Sequence, residues 1–174
     1  MVSNPLNADC RPILKPNVPL PIMSTFFMSV NCILNKSKYT SDIVKLQLLE
    51  SHCLPILLYG IDCLNVNKSL LKEVNSWWNS VYRKIFHYNK WESVKELICL
   101  LGRLDLIHIE NLRRLVFIKK LSTCSNHVIA GLFNNYYRHS PELINLQFKF
   151  GIDFNFSNGK IKAMMFASFK NTFI

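Results

Sequence analysis

Apolar residues recur at helical spacing through residues 42–86, the densest such pattern in the chain. In the first half of this stretch, Ile43, Leu46, Leu49 and Cys53 fall on one face of a helix. Pro55 interrupts the pattern, and a helix must kink or restart there because proline lacks a backbone N–H and its ring clashes with the preceding turn. The pattern predicts two helical segments that form the spine of an all-helical domain.

The second half of the stretch predicts an amphipathic helix with a wide buried face. Asn67 is a suitable N-cap because its side chain accepts a hydrogen bond from a first-turn N–H. The polar side of this helix carries Arg83 and leads to a loop at residues 87–92. The predicted apolar face consists of Leu70, Val74, Trp77, Val81 and Ile85, widened by Leu71, Trp78 and Tyr82.

Further helices are predicted on both sides of this spine, at residues 23–36, 93–101, 106–122, 127–137 and 160–171. Ser93 and Glu96 match a capping box, Gly102 is a natural helix stop, and Asp105 is a suitable cap for the helix that follows. That helix is apolar on most sides, so we expect it to be central.

Aromatic and apolar residues alternate near the C-terminus, from Phe148 to Phe156. Because a period of two is typical of a strand, residues 138–160 predict a strand or hairpin with its turn at residues 157–159. The predicted fold class is therefore mainly α: an irregular helical bundle with a small β-hairpin. Its predicted divisions are an extended proline-rich leader at 1–22, a helical domain at 23–137 and an extension at 138–174.

The net charge of +10 is large for 174 residues. A basic surface favours nucleic acid or an anionic membrane as partner. The apolar run at residues 53–61 is too short to span a bilayer, which needs about 20 apolar residues, so we expect no membrane partner. The charges are spread along the chain, with short clusters at 83–84, 113–114 and 119–120.

Sequence motifs for small-molecule chemistry are absent. Neither of the glycine-rich nucleotide-binding motifs, G-x-G-x-x-G and G-x-x-x-x-G-K-[ST], occurs in the sequence. The six cysteines contain no C-x-x-C pair. We expect free, mostly buried thiols; a zinc site assembled from distant cysteines and histidines remains an alternative. Asp105, His108 and Glu110 form a titratable group, but their spacing does not place all three on one helix face.

The loop at residues 87–92, HYNKWE, combines aromatic residues with Lys90. Such a combination can stack on bases and neutralise phosphate. The alternative interpretation is that Tyr88 and Trp91 close the edge of the core.

Five stretches, in order, resemble the reverse transcriptases of non-LTR (LINE-type) retrotransposons downstream of their catalytic palm. The resemblance covers about 100 of the 174 residues. The stretches are NCILNK at 31–36, VKLQLLESHCLPILLYG at 44–60, NSWWNSVYRKIF at 75–86, SVKELICLLG at 93–102 and LRRLVFIKKLSTCSN at 112–126.

The resemblance implies the thumb and the helical segment after it, which pack against the palm and hold the template–product duplex. In that family, paired palm aspartates hold the Mg²⁺ ions for RNA-directed DNA synthesis. This chain has five aspartates, none adjacent to another, and no [F/Y]-x-D-D motif. We therefore expect a non-catalytic fragment with no cofactor of its own, whose partners are an RNA/DNA duplex and the missing palm domain.

Six basic residues are the candidate phosphate contacts: Lys45, Arg83, Lys84, Arg113, Arg114 and Lys120. They are chosen by charge and helix face, because phosphate contacts hold a duplex without reading its sequence. The alternative function is a helical protein-interaction module with no nucleic-acid role. A self-contained enzyme is the last choice, since no nucleophile–base pair, metal cluster or phosphate loop is visible in the sequence.

Overall fold

The computed structural model describes residues 20–59, 67–153 and 155–172. Within these ranges the chain is helical and contains no strand, so the mainly α fold class is confirmed. The predicted leader lies almost wholly outside the described residues. Its predicted boundary is three residues late, since the first helix begins at Leu20; proline is compatible with the first turn of a helix, where its missing N–H would have no partner.

The helices follow one another with short connections. Their bounds are α1 Leu20–Lys36, α2 Asp42–His52, α3 Leu54–Leu58, α4 Lys68–Phe86, α5 Lys95–Leu100, α6 Leu106–Ser122, α7 His127–Leu132 continued by a π-helical turn Phe133–Tyr137, α8 Pro141–Phe150 and α9 Asn158–Lys170.

The predicted break in the first spine segment is confirmed. Helix α2 ends at His52, and α3 restarts at Leu54 with Pro55 in its first turn, where proline is tolerated. Cys53, between them, is fully buried. The break therefore turns the chain while its apolar face stays in the core.

Helix α4 supplies the centre of the core. Asn67 caps it by accepting a hydrogen bond from Ser69 N at 3.1 Å, as predicted. Trp78 and Tyr82 are fully buried and meet edge to face at 5.8 Å, while Trp77 is only half-buried. Trp78 and Tyr82, predicted to widen the buried face, therefore lie at its centre, while Leu71 is only half-buried. Phe26 of α1 packs against Trp78, with ring centroids 6.5 Å apart.

Helix α6 is central, as its apolar sequence predicts, and contacts α4, α7, α8 and α9. Asp105 caps it by accepting from His108 N at 2.8 Å, and Asn75 of α4 accepts from Leu106 N at 3.2 Å. Gly102 ends the preceding segment with φ +67°, a conformation that favours glycine. The capping box predicted at Ser93 does not form, because Val94 occupies the N-cap position of α5.

The predicted C-terminal hairpin is wrong: residues 141–150 form helix α8. Ser140 caps this helix, accepting from Leu143 N at 3.4 Å, and Pro141 occupies its first turn. Leu143 and Phe150, seven residues apart, share the buried face. The alternation that suggested a strand crosses the end of the helix at Gly151, where φ is +61°. The predicted turn at 157–159 is instead the cap and first turn of α9.

Candidate nucleic-acid interface

The last turn of α4 carries two of the predicted contacts, Arg83 and Lys84. Arg83 is half-buried, and its Nε donates a hydrogen bond to the backbone oxygen of Glu92 at 2.9 Å. Lys84 is exposed; its Nζ donates to Asn31 Oδ1 at 3.2 Å and lies 5.8 Å from the centre of the Phe27 ring. Arg83 therefore holds the following turn, and Lys84 presents its charge to solvent.

The turn at residues 87–92 is held by a dense set of hydrogen bonds. His87 ends α4 in the left-handed conformation, with φ 58°. The Glu92 carboxylate accepts from Asn89 Nδ2 at 2.7 Å and from Asn89 N at 2.8 Å. These two hydrogen bonds lower the pKa of Glu92, because they favour its ionised form. The turn that follows α4 therefore has a defined conformation held by hydrogen bonds.

Trp91 stands out from this turn with 87% of its surface exposed. Lys90 Nζ lies 5.0 Å from the centre of its ring, within cation–π distance. Trp91 therefore does not close the edge of the core, and the stacking interpretation fits its position. We call Arg83, Lys84, Lys90 and Trp91 the basic–aromatic patch.

Lys45 is poorly placed for a phosphate contact. It lies on α2, its side chain is only 16% exposed, and its Nζ pairs with Asp42 Oδ1 at 2.9 Å. A duplex would have to compete with this carboxylate for a charge that is mostly covered by protein. Lys45 is therefore not part of the candidate interface.

The other three predicted contacts lie on α6. Arg113 and Lys120 are exposed and, seven residues apart, share one face, while Arg114 is half-buried. Lys119, next to Lys120, donates instead to the backbone oxygen of Phe156. Helix α6 thus contributes a second basic edge, on a helix that packs against α4.

Sequence analysis missed a charged cluster that links α2, the segment before α6, and α9. Arg103 Nε lies 3.0 Å from Glu50 Oε1, and Lys162 also acts on Glu50 electrostatically. Burial raises the pKa of Glu50, and the two cations oppose that shift. Burial also raises the pKa of Tyr82, an effect strengthened by Glu50. No local signal could reveal this cluster, because its members are more than 30 residues apart along the chain.

The Asp105–His108 pair is part of the fold around the start of α6. Asp105 Oδ1 lies 2.5 Å from His108 Nδ1, and both residues are buried. The imidazole packs on Phe169 and Phe150, with ring centroids 5.0 and 6.0 Å away. These contacts give His108 a packing role between α6 and the C-terminal helices.

The described ranges contain four of the six cysteines of the chain. Of the four cysteines there, all free, only Cys53 is buried, and Cys32 is exposed, so the expectation of mostly buried thiols is wrong. Burial raises the pKa of Cys53 to about 11. Among the described residues, no three His, Cys, Asp or Glu side chains are grouped to hold a metal ion.

No helix in the described part of the chain has both the length and the apolar content that a membrane span requires. Comparisons with protein-family models, curated proteins and solved structures return no match.

Proposed function

We propose that this chain is a non-catalytic, nucleic-acid-binding helical module, related to the thumb region of non-LTR retrotransposon reverse transcriptases. In this proposal it grips the backbone of a template–product duplex, and DNA synthesis belongs to a palm domain that carries the metal-binding aspartates. The five ordered stretches of sequence resemblance and the net charge of +10 motivate the proposal.

The basic–aromatic patch is the observation that carries this proposal. Lys84 and Lys90 are both exposed, and the Arg83–Glu92 hydrogen bond fixes the turn that bears Lys90 against the helix that bears Lys84. Lysine charges contact phosphates without regard to base sequence. The exposed Trp91 ring adds a flat surface on which a splayed base can stack.

A salt titration tests the proposal. We would measure the affinity of the purified chain for a fluorescein-labelled RNA–DNA hybrid by anisotropy, at monovalent salt from about 50 to 200 mM. The candidate interface contains four exposed cations, Lys84, Lys90, Arg113 and Lys120. They predict a slope of about −3 to −4 for the logarithm of the binding constant against the logarithm of the salt concentration, since each neutralised phosphate contributes roughly −0.9. Failure to bind at the lowest salt, or binding that does not respond to salt, would overturn it.

A helical protein-interaction module is the second candidate function. It is favoured by Val128, Leu132 and Tyr136, which lie about one turn apart along α7 and the π-helical turn and are all at least half exposed. Monomeric proteins seldom leave such apolar stripes uncovered. Sedimentation equilibrium distinguishes the two: self-association that is abolished by Leu132→Glu, in a chain that does not bind the hybrid, favours the second function.

A further inference from the structure

A cleft of about 520 Å³ opens between the segment before α6, one face of α6 and the first three turns of α9. Its volume falls within the range of about 300 to 1,000 Å³ that is typical of small-molecule sites. The cleft involves neither the basic–aromatic patch nor the α6 residues proposed to contact a duplex. It therefore needs a separate explanation.

The walls of the cleft are mainly apolar. Ile109 and Leu112 project from α6, and Phe166 faces them from α9; all three are half-buried. Gly102 and Gly159 also line the cleft, where they contribute backbone and no side chain. An apolar ligand body would cover the exposed part of these three side chains, and removal of apolar surface from water favours binding.

Among the described residues that line the cleft, the charged ones are Arg103 and Lys162, both cations. Glu50 Oε1 lies 3.0 Å from Arg103 Nε, and the single negative charge of the ionised carboxylate leaves the three groups with a net charge of +1. A guanidinium has five N–H donors, and the Nε pairing with Glu50 involves one of them. The cleft thus combines apolar walls with an excess of one positive charge.

We propose that this cleft binds a small amphipathic anion, a carboxylate with an aliphatic or aromatic body. The carboxylate lies at Arg103 and Lys162, and the apolar body packs against Ile109, Leu112 and Phe166. A carboxylate matches both the net charge of +1 and the fork of donors on Arg103. This binding site is independent of the proposed nucleic-acid function.

The experiment is an ¹H–¹⁵N NMR titration of the full chain with octanoate and, in parallel, with octan-1-ol, which has the same chain length without the charge. We expect octanoate to shift the amides of residues 102–104 and 159–166, and to bind roughly tenfold more tightly than octanol, as a charge-assisted hydrogen bond predicts. Equal affinities, no binding of octanoate, or shifts confined to other residues such as 128–136 would overturn the proposal.

Two matched variants of α9 test whether Lys162 contacts the carboxylate of octanoate. Lys162→Gln should weaken octanoate binding about tenfold and leave octanol binding unchanged, because only the charge-assisted contact is lost. Lys170→Gln, at the exposed end of the same helix, should change neither affinity. The dispersion of the amide spectrum shows directly whether each variant is folded. Equal loss of octanoate affinity in both variants would assign the effect to net charge and overturn the site.

Discussion

Arg103 Nε lies 3.0 Å from Glu50 Oε1, so an ion pair joins the last turn of α2 to the segment that leads into α6. The Glu50 side chain is 23% exposed. Burial raises its pKa above the ordinary value of 4.5, and the attraction of Arg103 only partly offsets this. The ionised carboxylate is thus less favourable in the folded chain than in the unfolded chain.

This raised pKa predicts a stability that falls with pH. Between the unfolded value of 4.5 and the higher folded value, the native state binds more protons than the unfolded state. The contribution of Glu50 is therefore fully present below pH 4.5 and is lost as pH rises through the folded pKa. We would measure urea midpoints from about pH 4 to 7 for the wild type and Glu50→Gln.

The difference between those two curves isolates Glu50, since the lowered pKa of Glu92 affects both proteins equally. The wild type should lose stability relative to Glu50→Gln as pH increases across this range. A difference that is constant with pH would show that the attraction of Arg103 cancels the effect of burial on the Glu50 pKa, and a difference that changes in the opposite direction would show that Arg103 outweighs burial; either result would contradict the prediction.

Gly102 and Gly131 should respond in opposite ways to substitution by alanine. At both sites a Cβ would meet no atom within 4 Å, so only backbone conformation distinguishes them. Gly102 has φ +67°, and Gly102→Ala should destabilise the fold by about 1 to 2 kcal/mol. Gly131 lies inside α7, and Gly131→Ala should stabilise it by up to about 1 kcal/mol. Chemical denaturation measures both; a shared sign would contradict the assigned conformations.

The two tryptophans at opposite extremes of burial give a test of the core. Trp78 is fully buried against Phe26 and Tyr82, so Trp78→Ala should cost about 3 to 5 kcal/mol. Trp91→Ala should change stability by no more than about 0.5 kcal/mol, because the side chain is 87% exposed. If Trp78→Ala does not fold, Trp78→Phe should still lose more stability than Trp91→Ala, although by a smaller amount. Equal effects at the two sites would contradict the fold.

Base stacking on Trp91 is a separate prediction of the basic–aromatic patch. Trp91→Ala should weaken binding of a single-stranded oligonucleotide by about 1 to 3 kcal/mol, the usual range for loss of one stacked base. Tyr59→Ala removes an equally exposed aromatic side chain from the end of α3 and should have little effect. Anisotropy with the same labelled strand measures both. A similar loss in both variants would indicate non-specific contact.

Local chemistry made most of the fold predictable. Asn67 and Asp105 cap helices as their side chains predict, Gly102 stops one, and the proline at 55 separates α2 from α3. These signals are read within one helical turn, so no tertiary contact is needed to interpret them. The same applies to the wide apolar face of α4.

The prediction of a C-terminal hairpin was wrong because an alternating, strand-like pattern of apolar residues overlaps the end of helix α8. Phe148, Phe150 and Ile152 alternate, but the first is 91% exposed and the other two are buried on either side of Gly151. The alternation thus spans a helix and the loop after it. Ser140 followed by Pro141 was the stronger signal, a cap with proline in the first turn.

The candidate site was predictable only in part. The charge of Arg83 and Lys84 and their place in the sequence were enough to predict that the end of α4 belongs to the candidate interface. The pairing of Lys45 with Asp42, which excludes Lys45, depends on side-chain geometry that the sequence does not show. Whether Trp91 faces the core or solvent could not be decided either, since both fit the sequence. The Glu50–Arg103 pair joins residues 53 positions apart, which a single sequence cannot connect.

The most direct test of the nucleic-acid function compares two pairs of lysines on or beside the same helix. Lys84→Gln with Lys90→Gln removes two charges from the basic–aromatic patch. Lys68→Gln with Lys72→Gln removes two exposed charges from the opposite end of α4, roughly 18 to 24 Å away along the helix. Both double variants have the same net charge, so a difference between them reports position.

The measurement is the salt dependence of RNA–DNA hybrid binding for the wild type and both double variants. The patch variant should bind more weakly at low salt and lose about two units of log–log slope, while the control variant keeps the wild-type slope. Equal slopes in the two variants, or a patch variant that matches the wild type, would contradict the assignment of the duplex-binding surface to the end of α4.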